Sequence, residues 1–243
     1  MLSEKNILVT GSSSGIGRQI AIDIGLNKGN PILTGRNIEK LEEICKLIIQ
    51  EGAHPVYHQA DLRNENEITD LVMSLPNLSG LVINAGIIDY TPVKFISKAK
   101  IDDIFLVNFT SNVILIKKLL EYKKINNNSS IVFIGSISSK LGVPGTSLYA
   151  ASKAALTSFA KVLAIEVSAK KIRVNVLSPG LVTTNLTGKI TDIQSDSTEK
   201  DKNYPLGWGT THNVANAVVF LLSDKSEWIT GTDIVIDGGF TLS

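Results

Sequence analysis

Short apolar, β-branched runs recur at 7–10, 32–34, 55–59, 81–84, 131–134, 174–177 and 234–236, and each predicts a strand. Between most of them the apolar positions switch to helical spacing, which predicts helices at 16–26, 38–50, 65–74, 101–122, 148–168 and 213–223. Leu81, Val82 and Ile83 are apolar at successive positions, as in a strand buried on both faces. Strands alternating with helices therefore predict an α/β fold: a doubly wound, Rossmann-type parallel sheet of about seven strands with helices on both faces. The polar run 126–130, Asn-Asn-Asn-Ser-Ser, reads as a turn leading into a strand. Residues 187–203 turn polar and charged without periodicity, and are either a mobile substrate loop over a site or a surface excursion.

Composition narrows the class. A chain of 243 residues with 43% hydrophobic and 19% charged positions suits one domain, 1–243, with a sizeable core. Net charge is +1 with both signs scattered, so neither a nucleic-acid stripe nor a polybasic membrane patch is expected. The one cysteine, Cys45, has no Cys or His at metal-ligand spacing, and no metal site is expected. A reducing compartment and a cytoplasmic location follow, with a small molecule and further copies of the chain as partners.

Candidate chemistry begins directly after the first strand, at Gly11-Ser12-Ser13-Ser14-Gly15-Ile16-Gly17. Glycines permit a sharp turn and close approach of a pyrophosphate, and the amides opening the next helix attract that anion. This is a dinucleotide cradle, although its Gly-x3-Gly-x-Gly spacing departs from the general fingerprint. After the second strand, where a carboxylate would accept ribose hydroxyls, stands Arg36. Its guanidinium suits a 2′-phosphate, with the Ser12 hydroxyl expected nearby, so NADP(H) is expected over NAD(H). Tyr149 and Lys153 lie four apart at the head of a helix, which puts a phenol and an ammonium on one face. The positive charge is expected to lower the phenol pKa and make it a usable proton donor.

In order along the chain, these residues resemble the short-chain dehydrogenase/reductase family, and within it the 3-oxoacyl-carrier-protein reductases and their relatives. The resemblance rests on Gly11 to Gly17, Asp61-Leu62, Asn84-Ala85-Gly86, Asn108, Ser136, Tyr149-Ala150-Ala151-Ser152-Lys153, Ser178-Pro179-Gly180, Ile229-Thr230-Gly231 and Asp237-Gly238-Gly239. It implies that Asp61 and Leu62 hold adenine, that Asn84, Ala85 and Gly86 lie along the adenosine ribose, and that Val182 and Thr184, beyond Pro179 and Gly180, hold the nicotinamide carboxamide. Read alone, Asp61 is as much a helix cap, and Asn84 to Gly86 a strand-to-helix turn. The implied catalytic set is Asn108, Ser136, Tyr149 and Lys153: Tyr149 the proton donor, Ser136 the carbonyl anchor, Lys153 also a ribose ligand, and Asn108 the holder of a relay water.

The expected activity is NADPH-dependent reduction of a ketone, either a 3-oxoacyl thioester or another carbonyl compound. An NAD-dependent alcohol or sugar dehydrogenase working oxidatively is the alternative, and a non-catalytic dinucleotide sensor a third reading. The resemblance also implies a homotetramer. An acyl carrier protein is a candidate partner, with Lys123, Lys124, Lys170 and Lys171 as basic residues flanking its docking region.

Overall fold

The computed structural model describes residues 1–184 and 203–242. Seven strands, β1 (Asn6–Thr10), β2 (Asn30–Gly35), β3 (Val56–Gln59), β4 (Leu78–Ile83), β5 (Ile125–Ile134), β6 (Arg173–Pro179) and β7 (Asp233–Ile236), form one sheet in the order β3-β2-β1-β4-β5-β6-β7. Every pairing is parallel. Among the described residues the α-helices are α1 (Gly15–Leu26), α2 (Ile38–Gln50), α3 (Glu65–Ser74), α4 (Lys98–Phe105), α5 (Ser111–Glu121), α6 (Ser147–Glu166) and α7 (Thr211–Leu222).

Strand positions alternate between two cores because successive side chains leave opposite faces of the pleat. Leu8, Leu81, Ile131, Phe133 and Val174 pack with α3, α5 and α6, while Ile7, Val9, Val82, Val132 and Leu177 pack with α1 and α7. Helix α6 is long and apolar enough by length and composition to cross a membrane, but its Leu156, Ala160, Leu163 and Ala164 are packed into the first core. Strand order reverses between β1 and β4, and the crevice at their carboxyl ends is where a doubly wound sheet binds its ligand.

Two local readings change. The helix expected over 101–122 is two helices joined by a π-helical turn, Leu106–Thr110. Side chains take over the displaced carbonyls: Ser111 Oγ donates to Leu106 O at 2.6 Å, and Asn112 Nδ2 donates to Asn108 O at 2.9 Å. Residues 126–130 lie inside the span of β5 as a wide bulge. Leu78 faces Ile125 while Gly80 already faces Ser130, and Asn128 takes φ 60°. The proposed substrate loop 187–203 falls outside the described residues except for Asn203.

Candidate active site

The glycine loop is built by what packs beneath it. Gly11 and Gly15 have φ of 63° and 56°, a region that disfavours other residues. The Asn84 side chain donates to Thr10 O at 3.0 Å and Gly11 O at 3.2 Å, and Thr10 Oγ1 accepts from the Asn84 and Ala85 amides at 2.9 and 3.0 Å. A Cβ at position 17 would stand 2.4 Å from both Asn84 Nδ2 and Gly11 O. Gly17 is therefore the gap that seats Asn84 under the loop. Helix α1 opens at Gly15 with no side-chain cap on its first amides, which leaves donors for an anion at the end of the cavity.

A cavity of about 740 Å³ runs from this loop to the ends of β5 and β6. Gly11, Ser13, Ser14, Gly15 and Ile16 line its start, with Arg36, Asp61 and Leu62 beside them. Asn84, Ala85 and Gly86 form the middle; Ser136, Tyr149, Lys153, Pro179, Gly180, Val182 and Thr184 form the far end. The glycine cradle, the uncapped helix start and the adjoining Arg36 fit an extended dinucleotide.

Three expected residues are not on its wall. Ser12 is fully buried and donates to Thr34 O at 3.2 Å, so it cannot meet a 2′-phosphate. Ser13 does line the cavity, its Oγ 3.3 Å from where a Cβ on Gly35 would lie. Gly17 sits behind the loop. Asn108 is fully buried on the π turn, with Oδ1 accepting from Ile87 N at 2.8 Å and Nδ2 donating to Ile87 O at 2.9 Å and Ser152 Oγ at 3.0 Å. Its side chain fixes the 86–87 turn. It remains close to the chemistry: a Cβ on Gly86 would lie 3.2 Å from Asn108 Oδ1 and 3.4 Å from Lys153 Nζ.

At the catalytic end, Ser136 is the last residue before a 3₁₀ turn, its Oγ accepts from Ser138 N at 3.2 Å, and it lines the cavity together with Tyr149. Lys153 Nζ donates to Ile134 O at 2.8 Å and lies 5.9 Å from the centre of the Tyr149 ring. Burial pushes the lysine pKa down to about 8. The tyrosine moves opposite to expectation. Burial raises its pKa, the Ser136 hydroxyl opposes this, and nearby Tyr90 adds to the rise. Lys153 faces the ring rather than the hydroxyl, so desolvation outweighs it. The shift carries the phenol further from ionisation at neutral pH.

Sequence reading missed the rest of the wall. Tyr90, Val143, Thr146 and Trp208 line the substrate end, where no spacing marks them. Tyr204 stacks on Phe240 with centroids 4.5 Å apart and accepts from Leu181 N at 3.1 Å, which fastens the segment after β6. Arg63 also lines the cavity and grips Asp61; an arginine two residues past a candidate adenine ligand was a visible signal. The four lysines expected to flank a carrier-protein docking region lie away from the ligand end of the sheet. Lys123 and Lys124 precede β5 and Lys170 and Lys171 precede β6, at the amino ends of the strands. Seven residues of β6 put roughly 20 Å between that edge and Pro179. Lys124 Nζ is moreover bound to Leu75 O at 2.6 Å.

Comparison with known proteins agrees with this geometry. The model of a family described as enoyl-(acyl carrier protein) reductase matches residues 11–241. The 3-oxoacyl-(acyl-carrier-protein) reductase of Rickettsia felis is 33% identical over 242 residues, spanning 99% of this chain and 98% of its own. A cyclopentanol dehydrogenase of Comamonas testosteroni is 30% identical over 245 residues, with 99% and 98% covered. A dehydrogenase/reductase structure from Sinorhizobium meliloti aligns with TM-score 0.90 at 30% identity, over 98% of this chain and 96% of that one. A variant actinorhodin polyketide ketoreductase solved with NADPH aligns at 0.88 and 27% identity, over 99% of each chain.

Proposed function

The chain belongs to the short-chain dehydrogenase/reductase family of oxidoreductases, and from that premise we propose that it is an NADPH-dependent carbonyl reductase whose substrate is a 3-oxoacyl thioester. The observation that carries this reading is the grouping of Ser136, Tyr149 and the buried Lys153 at the end of a cavity that begins on the glycine loop. The relatives named as acyl-carrier-protein reductases support the thioester, and Arg36 supports the phosphorylated cofactor.

A bound nicotinamide supplies the hydride. The protein does the rest. Ser136 and Tyr149 present two hydroxyls that address one carbonyl oxygen and fix its orientation. As negative charge develops on that oxygen, Tyr149 transfers its hydroxyl proton, and a phenol held protonated by burial is the correct starting form for reduction. Lys153, positive at neutral pH and anchored on Ile134 O, stabilises the phenolate left behind. Asn108 acts through position, locking the 86–87 turn against which Lys153 packs.

The test is loss of nicotinamide absorbance with NADPH and with NADH, each supplied with a short 3-oxoacyl thioester or with cyclopentanone. Turnover of the thioester with NADPH is expected. Turnover of cyclopentanone alone would overturn the acyl reading, and equal rates with NADH would overturn the cofactor reading. Tyr149→Phe keeps the ring and removes the proton, so a fall of about 10² to 10⁴-fold in kcat with cofactor Kd little changed is expected. The reading includes a cytoplasmic, homotetrameric enzyme, with the thioester delivered either free or on a carrier protein.

A further inference from the structure

The charges around the adenosine end of the cavity do not match the simple picture of one selecting arginine. Arg63 closes on Asp61 in a fork: Nε lies 3.1 and 3.0 Å from the two carboxylate oxygens and Nη2 lies 2.5 Å from Oδ2. The Arg63 amide also donates to Asp61 Oδ1 at 3.1 Å. The aspartate is itself fixed, because its amide donates to Glu67 Oε2 at 2.8 Å and Asn64 Nδ2 holds the other Glu67 oxygen at 3.0 Å. Arg36 is pinned at the neighbouring strand end, its carbonyl accepting from Gln59 Nε2 at 2.9 Å. Arg36, Asp61, Arg63 and, across the cleft, Asp103 all line the same cavity. Both arginines hold the Asp61 carboxyl below its ordinary range, Arg63 more strongly.

The pair is not explained by stability. Its side chains are 43% and 27% exposed, and a local ion pair so open to water contributes little to folding. Its effect is on the field a ligand meets. With Arg63 the two arginines balance Asp61 and Asp103; without it the wall carries one positive and two negative groups. A ribose bearing a free hydroxyl is indifferent to that sign. A ribose bearing a doubly charged phosphate is not.

We propose that Arg63 is a second determinant of cofactor selection, which masks the Asp61 carboxylate so that Arg36 can accept a 2′-phosphate. This rests on the NADPH reading above and adds to it a residue that acts through Asp61. Asp61 stays available to adenine through its remaining oxygen lone pairs, while its charge no longer repels the phosphate.

The test is titration of the full chain, by calorimetry, with NADP⁺ and NAD⁺ and with the fragments 2′,5′-ADP and 5′-AMP. Wild type is expected to prefer the 2′-phosphorylated member of each pair. In Arg63→Ala the Kd for NADP⁺ and 2′,5′-ADP should rise about tenfold, with NAD⁺ and 5′-AMP moving less than about threefold. Adding Asp61→Asn should restore most of the lost ratio, since the exposed carboxylate is then gone; a purely structural role for Arg63 gives no such rescue. Equal weakening of both ligands in Arg63→Ala, or failure of Asp61→Asn to restore the ratio, overturns this inference alone. A wild-type chain without preference overturns the NADPH reading and this inference with it. Circular dichroism melts of each variant check that the fold is retained.

Discussion

Lys153 is 4% exposed, and its ammonium donates to the carbonyl of Ile134. Burial lowers its pKa from 10.5 to about 8, so the folded chain binds this proton less tightly than the unfolded chain. The penalty is fully present below pH 8, shrinks as pH rises from 8 to 10.5, and is gone above; this group alone makes stability rise with pH across that window. A shift of this size corresponds to about 3 kcal/mol. Lys153→Met is therefore expected to abolish turnover and yet to raise the denaturation midpoint at pH 7, with the gain fading toward pH 10. Chemical denaturation at the two pH values checks this, and a gain that does not depend on pH would count against it. The site is in this sense kept at a cost to the fold. Gly17 shows the reverse case. Gly17→Ala places a methyl 2.4 Å from Asn84 Nδ2 and Gly11 O, so the loop must move and NADP⁺ affinity should fall at least tenfold in a titration. The letters of Gly17 and Lys153 marked them in the sequence. The direction of the Tyr149 shift was not legible, since burial and the angle of the lysine to the ring exist only in three dimensions.

Elements were read well wherever one periodicity dominated. The strands β1, β2, β6 and β7 and the helices α1 to α3 follow from apolar spacing, because each has a sheet or core to match. The π turn escaped because Asn108 and Asn112 are four apart and read as ordinary helix. Only their carbonyl partners reveal the widened turn. One element invites a test. The segment 137–146 carries Ser138, Val143 and Thr146 to the cavity, and it is tied to the sheet by Lys140 Nζ at 2.9 Å from Asp233 Oδ2. Asp233 is buried and also accepts from Ser178 Oγ at 2.6 Å. Lys140→Met leaves that carboxylate with only the serine, and a loss of about 1–3 kcal/mol is expected. The KM for the carbonyl substrate should rise while cofactor Kd holds. A variant with unchanged melting and unchanged KM would show that the tie does not position the segment.

At the scale of the whole molecule, two of the places where large apolar side chains stand exposed bear on assembly. On the outer face of α6, Val162 is 56% and Ile165 77% exposed. On the segments flanking β7, the edge strand of the sheet, Trp228 is 97% and Leu242 92% exposed. Large apolar side chains exposed in groups mark contact surfaces more often than scattered ones do. The α6 group lies on one face of the sheet, and the second group lies at its edge. A single two-fold contact buries one patch with its own copy and leaves the other open, whereas two perpendicular two-folds bury both and close a tetramer of dihedral symmetry. This geometry gives the homotetramer of the proposed function a sharper test than size alone. Light scattering on the wild-type chain should report four copies. Ile165→Glu and Trp228→Glu should each give dimers, since each opposes only one of the two contacts, and the double variant should give folded monomers. If either single variant fell directly to monomers, the two patches would belong to one interface; if neither changed the mass, they would not be the surfaces that hold the copies together.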